Sequence, residues 1–398
     1  MANINRAMLR LGQAPSVIRE TFEYGNARAR QIGRENVFDF SLGNPSVPAP
    51  EQVTDTLRKL LADCPPVSLH GYTSAPGDLP TRRAVAEDLC RRFSANLTEA
   101  NIYMTCGAAA SLTCTLHALV QPGDEIVVPA PFFPEYRVFA EAAGAVLVPV
   151  PPVPGSFQID VPALRRCLSD KTKAVIVNSP NNPTGVVYTR EVLTELSDAL
   201  TAFSAQRGAP VYLLSDEPYR ELVYDGAEVP YLPALYAATI VCYSYSKSLS
   251  LPGERIGYVA VPTSVPDWQE IFAAVCGAGR ALGFVCAPSL MQKMIAACTD
   301  AACDMATYRL NRDLLYGALT DCGFSCVHPD GAFYLFVRAP EEDAAAFCQK
   351  ARQYELLLVP SDSFGCPGYV RLAYCVSTDM IRRSLPAFRQ LAESYGLI

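Results

Sequence analysis

Lysine is scarce in this chain: of 398 residues only six are lysine, Lys59, Lys171, Lys173, Lys247, Lys293 and Lys350. Histidine is scarcer, with three, at His70, His117 and His328, none flanked by ligand-spaced cysteines or carboxylates. That spacing gives no reason to expect a metal centre. The 15 cysteines include no CxxC pair and lie mostly inside apolar runs. They read as reduced, buried thiols packing as small hydrophobes, which argues against a disulfide framework and for a cytoplasmic protein. No apolar span reaches the ~20 residues needed to cross a bilayer. The opening residues Met1 to Arg6 lack the apolar core of a secretory signal. No G-x-G-x-x-G follows the first strand-like run, which disfavours a nicotinamide dinucleotide site. Positive charge is short as well. A formal net charge of -7 argues against a nucleic-acid surface or an anionic membrane as partner.

What is abundant is apolar. Hydrophobic residues make up 50% of the chain and charged ones 18%, the balance of a compact globular protein with much to bury. Single cores usually stop growing near ~250–300 residues, so two domains are expected. Short β-rich runs alternate with helical patterns through the middle: Asn101 to Cys106, Glu125 to Val128, Ala145 to Val150, Lys173 to Val177, Val211 to Leu214 and Thr239 to Tyr243. Between them lie helix patterns at Ala108 to Val120, Glu135 to Ala143 and Arg190 to Phe203. The alternation predicts an α/β fold with a mostly parallel sheet covered on both faces. From about Pro288 the pattern changes to a long helical stretch, Leu290 to Leu319, then strands and helices in a separate α+β unit. The expected domains are therefore 46–287, large, and 288–398, small, with residues 1–45 attached to the small one.

Ligands in parallel sheets sit outside the carboxyl ends of the strands, and four such ends here carry small, polar or charged groups. Asp216 follows Val211 to Ser215, and Asn178 follows Ala174 to Val177, with Asn181-Asn182-Pro183-Thr184-Gly185 next. Gly107-Ala108-Ala109 opens a helix after Cys106, and Lys247 sits in Ser244-Tyr245-Ser246-Lys247 just beyond the run ending at Tyr243. A small-residue turn can lift one amine into a pocket, where it can form an imine with a carbonyl cofactor. The other five lysines lie near helix ends, turns or charged stretches and read as solvated side chains. The set makes sense as a pyridoxal-phosphate site. Asp216 would pair with the ring nitrogen; the amides of Ala108 and Ala109, at a helix start, would hold the phosphate. Arg255 and the hydroxyls of Ser244 and Ser246 would complete its coordination. Phe132 or Phe133 would stack on the ring.

The segments Asn178-Ser179-Pro180-Asn181-Asn182-Pro183-Thr184-Gly185, Ser215-Asp216-Glu217-Pro218-Tyr219 and Ser244 to Arg255 resemble those of class I/II aminotransferases of the aspartate aminotransferase fold, fold type I. The likeness extends nearly end to end, through Asp39 to Pro45, Tyr72-Thr73 and Gly368 to Ala373. It implies a seven-stranded, mostly parallel sheet in the large domain. It implies that Lys247 holds pyridoxal 5'-phosphate as a Schiff base and shuttles a proton, and that Asp216 pairs with the pyridinium. Tyr219 and Asn182 would hydrogen-bond the phenolic oxygen, and Phe133 would take the stacking position, which is tryptophan in some relatives. Ser244, Arg255 and the Ala108-Ala109 amides would bind phosphate. By the same resemblance Tyr72 reaches the phosphate of a neighbouring subunit, so a homodimer with a shared active site is implied. Arg371 would clamp the substrate α-carboxylate with a two-bond fork, helped by the Gly43 backbone and Asn182.

The activity so implied is transamination from an α-amino acid to a 2-oxo acid with ping-pong kinetics. A β-eliminating carbon–sulfur lyase on the same scaffold is the alternative, and the amino donor is left open. Blander readings stand beside several assignments. Asp216 alone would suit a helix cap, and Arg371 an internal salt bridge. Phe132 and Phe133 suit core positions, Tyr72 suits plain packing, and Tyr334 and Phe364 suit either the core or a substrate entrance.

Overall fold

The computed structural model describes residues 3–13 and 16–398. In chain order the strands among them are β1 (Phe38–Asp39), β2 (Ile102–Thr105), β3 (Glu125–Pro129), β4 (Val146–Val150), β5 (Thr172–Asn178), β6 (Tyr212–Asp216), β7 (Thr239–Ser244), β8 (Gly257–Ala260), β9 (Tyr334–Arg338), β10 (Leu356–Leu357), β11 (Val359–Pro360) and β12 (Tyr369–Ala373). The chain divides into two compact units. One holds the described residues up to Asn44, with Ala306–Pro329 and Phe333–Ile398; the other holds Pro45–Met305 and Asp330–Ala332.

In the larger unit β2 to β8 form one seven-stranded sheet in the order β2-β8-β7-β6-β5-β3-β4. Every adjacent pair is parallel except those made by β8, which runs antiparallel to both β2 and β7. The continuous apolar runs of the sequence become strands buried on both faces. Along β7, Ile240 and Cys242 enter one core cluster with Leu112, Leu116 and Val275. Val241 and Tyr243 enter another, with Val85, Leu89 and Met294. Strand β8 escapes the sequence reading because Gly257-Tyr258-Val259-Ala260 is short and opens on glycine.

The smaller unit carries the antiparallel sheet β11-β12-β9 and the parallel pair β1-β10. Residues 1–45 were expected to join this unit, and its first segment ends at Asn44. The expected boundary at 287–288 moves to Met305–Ala306. The stretch Leu290 to Leu319, read as one long helix, is two: Ser289–Ala296 and Met305–Asp321. The first stays in the larger unit because its apolar face packs against helix Leu79–Phe93, and Gln292 anchors it by accepting the Asp78 N–H at 2.6 Å and donating to the Ala287 carbonyl at 2.8 Å. No helix among the described residues is long and apolar enough to cross a membrane.

Candidate active site

Strand register brings the candidate groups together. Asn178 pairs with Asp216, and Asp216 with Cys242, across the ends of β5, β6 and β7. One step away Ser244 pairs with Gly257, and Gly257 with Thr105. The rim therefore carries Asp216 at its centre and the Ser244–Gly107 region to one side.

Asp216 is buried, at 4% exposure. The Tyr136 hydroxyl donates to its Oδ2. The Asn178 amide donates to its backbone carbonyl at 2.9 Å. Its other oxygen, Oδ1, is buried without a hydrogen-bond partner. Burial pushes the carboxyl up to about 7; the Tyr136 hydrogen bond opposes the rise and the charge of Glu217 adds to it. A carboxylate held this way lacks a cationic N–H. Tyr136 is itself wholly buried, and burial beside Asp216 raises its phenol well above the ordinary range, so it remains a donor.

The turn after β5 is built from its own side chains. Asn178 Oδ1 accepts the Asn182 N–H at 2.8 Å, and Asn181 Oδ1 accepts the Thr184 hydroxyl at 2.8 Å. One amide, that of Asn178, thus joins the Asp216 strand to the residue expected to touch both cofactor and substrate. Tyr219, beyond Asp216, is buried.

Lys247 lies on the one-turn helix Tyr245–Ser248 directly after β7. Ser244 caps that helix, its Oγ accepting from Ser246 N at 3.1 Å and lying 2.7 Å from Ser246 Oγ. Arg255 Nη1 donates to Ser246 Oγ at 3.4 Å. Across from these hydroxyls, helix Ala108–Leu119 begins at Gly107 with no side-chain cap, which leaves its first N–H groups to a ligand or solvent. Gly107 has φ +87, and a Cβ there would stand 2.9 Å from Arg255 Nη2. Gly257 is equally constrained: a Cβ would lie 2.2 Å from the Tyr243 carbonyl and 2.9 Å from Gly107 Cα. Glycine at both positions lets the helix start approach β8 and the guanidinium, making a cradle for an anion.

Phe132 and Phe133 separate cleanly. Phe132 is core, at 2% exposure. Phe133 is partly buried, edge-to-face with Tyr136 at 5.7 Å, next to the Asp216 partner. Tyr72 stands 93% exposed, near Val67 at 85%.

Arg371 and Gly43 belong to the smaller unit. Arg371 is buried on β12, and its Nη2 donates to the Ser41 carbonyl at 2.5 Å. Its guanidinium lies over the rings of Tyr334 at 4.7 Å and Phe364 at 5.3 Å. Those two aromatics are buried and act as stacking faces for the arginine. At Gly43 a Cβ would stand 2.1 Å from the Tyr334 hydroxyl, so any larger residue there would have to displace that side chain.

The sequence model of aminotransferase class I and II matches residues 35–388. The chain belongs to the class I and II aminotransferases. It is 32% identical over 375 residues to the probable aspartate/prephenate aminotransferase of Thermus aquaticus, covering 92% of this chain and 94% of that one. A crystal structure of an amino transferase from Eubacterium rectale matches with TM-score 0.97 and 54% identity, over 99% of this chain and 100% of that chain. The aspartate aminotransferase of Thermus thermophilus with maleate matches at TM-score 0.86 and 27% identity, over 98% and 100%. The chain is accordingly a transaminase of fold type I, in a family that is generally pyridoxal-phosphate dependent. Nothing local in the sequence marks Tyr136 as the partner of Asp216: just inside helix Glu135–Ala142, it reads as a core aromatic.

Proposed function

We propose that this aminotransferase binds pyridoxal 5'-phosphate at Lys247 and moves an amino group from an α-amino acid to a 2-oxo acid. The observation that carries the reading is Asp216: a buried carboxylate at a strand end, raised to about 7, with one oxygen lacking a partner. A pyridinium N–H is the group that such an oxygen suits. When bound, the cofactor supplies an electron sink for the pair released at the substrate Cα and carries the amino group between two half-reactions, hence ping-pong kinetics.

The chain's own residues do the rest. Lys247 would join the cofactor's aldehyde carbon and, once displaced, carry the proton away from Cα at its Nζ. Asn182 and Tyr219 would hold the phenolic oxygen, and Phe133 would cover one ring face. The amides of Ala108 and Ala109, with Ser244, Ser246 and Arg255, would hold the phosphate. Arg371 and Gly43 would bind the α-carboxylate, with Asn182. Tyr72, whose ring stands in solvent in the single chain, would serve the site of a second copy in a homodimer. Among the described residues no disulfide joins any of the fifteen cysteines, which accords with a reducing, cytoplasmic setting.

Borohydride reduction followed by peptide mapping tests the reading. Label on Lys247, absent in Lys247→Ala, is the expected result; label elsewhere or nowhere would remove it. Adding each of the twenty amino acids singly then identifies the donor. Dicarboxylic and aromatic donors head that screen, because relatives carry aspartate, prephenate and aromatic-amino-acid aminotransferase names. Stoichiometric conversion without pyruvate or ammonia indicates transamination. Catalytic release of both would indicate β-elimination instead.

A further inference from the structure

Behind the rim lies a buried guanidinium that the proposed chemistry does not use. Arg220 follows Tyr219 by one residue, and its side chain is 3% exposed. Its Nη1 sits 2.8 Å from Glu217 Oε2, its Nε 3.3 Å from Glu221 Oε1, and its Nη2 donates to the Tyr258 hydroxyl at 2.8 Å. Its plane lies over the ring of Tyr243 at 4.4 Å, with Phe93 at 5.2 Å. Its contacts reach the segment after β6, β7 and β8. Glu217 is the residue after Asp216, and Ser215 Oγ donates to its Oε1 at 2.6 Å. Tyr258 is on β8, beside Gly257. Tyr243 is the residue before Ser244 on β7, and its hydroxyl donates to Glu221 Oε2 at 2.9 Å and lies 2.8 Å from Ser248 Oγ, next to Lys247. Arg92 balances the second carboxylate, its Nη1 lying 2.9 Å from Glu221 Oε1.

Burial alone would favour a neutral Glu217; Arg220 opposes that. Hydrophobic replacements of buried ion pairs are often neutral or stabilising, so stability gives little reason for five polar groups to converge here. A rigid planar fork that fixes several elements at once gives a better one. We infer that Arg220 is a positioning residue: resting on the proposed function, it locks the Asp216–Glu217 segment at the end of β6 to the Lys247 helix through Tyr243 and Ser248, and so sets the spacing between the carboxylate and the amine.

The test uses the cofactor-loaded enzyme with Arg220→Lys, which keeps the charge yet cannot make the fork and the ring contact together. Expected are at least a tenfold fall in kcat with KM within twofold, and an altered visible circular dichroism band from the bound cofactor. Faster cofactor dissociation is expected too, by fivefold or more. Tyr243→Phe keeps the ring but cuts the link to Ser248 and Glu221, and should shift the same band with a smaller loss of kcat; it also serves if Arg220→Lys does not fold. A lowered melting temperature with kcat, dichroism and dissociation all unchanged would overturn the proposal. Absence of borohydride label on Lys247 in the unmutated enzyme would instead remove the function reading, and this inference with it.

Discussion

Asp216 shows how one buried group ties chemistry to stability. Burial pushes its carboxyl up to about 7, above its ordinary 3.8. Between those values the folded state holds a proton that the unfolded chain has released, so folding stability falls as pH rises from about 4 to about 7. The ceiling of that loss is on the order of 4 kcal/mol. Thermal melts of the cofactor-free protein across this window should show the decline, and Asp216→Asn should flatten it; parallel curves would contradict the assigned environment. Tyr136→Phe removes the phenol that donates to Asp216 Oδ2. Hydrogen bonds to charged groups contribute about 1.5–3 kcal/mol, so cofactor affinity should weaken by roughly ten- to a hundredfold. Equilibrium titration with pyridoxal 5'-phosphate measures this directly. Asp216 itself was readable from its place after Ser215; Tyr136 was not, because nothing local in Glu135 to Ala143 distinguishes a hydroxyl facing a carboxylate from a core aromatic.

At the scale of elements, the active rim depends on close approach between backbones. Gly257 faces the Tyr243 carbonyl on one side and Gly107 Cα on the other. Gly257→Ala should force β7, β8 and the helix start at Ala108 apart, with a stability loss of about 3 kcal/mol. It should also weaken phosphate-dependent cofactor binding at least tenfold, read by thermal shift with and without cofactor. A melting curve like that of the unmutated protein would show that the approach has slack. The strands flanking this point were legible because long apolar runs mark strands buried on both faces. Strand β8 was not, since four residues opening on glycine have no periodicity to read. The break between helices Ser289–Ala296 and Met305–Asp321 was hidden likewise. Residues 297–304, with three alanines and two cysteines, contain neither glycine nor proline to mark a stop.

At the scale of the whole molecule, Tyr72 and Val67 leave large side chains in solvent in the single chain. If Tyr72 serves the site of a second copy, mixing Lys247→Ala with Tyr72→Ala subunits should restore activity. Each hybrid dimer then holds one site with both groups intact, and random assortment recovers about a quarter of the unmutated sites. No recovery, with hybrids confirmed by mass, would place Tyr72 in its own subunit's chemistry or in packing alone. Lys247, Asp216 and the glycine-lined helix start at Ala108 lie in the larger unit, and Arg371 with its stacked aromatics lies in the smaller. That division was read from the change of pattern near Pro288. Its position shifted to Met305 because packing against helix Leu79–Phe93, rather than local pattern, decides which unit a helix joins.

By itself the sequence determined the α/β class, the order of most strands and the motif residues at their ends, because each follows from local periodicity and from residues whose chemistry has few other uses. Tertiary structure alone decided which of those residues meet. Register set Asn178 beside Asp216, and Ser244 beside Gly257. Folding also delivered Tyr136 from another element to the carboxylate and gathered Glu217, Glu221, Tyr243 and Tyr258 around Arg220. Contacts between residues distant in the chain leave no periodic trace, and the burial that raises a carboxyl's pKa exists only once those contacts have formed.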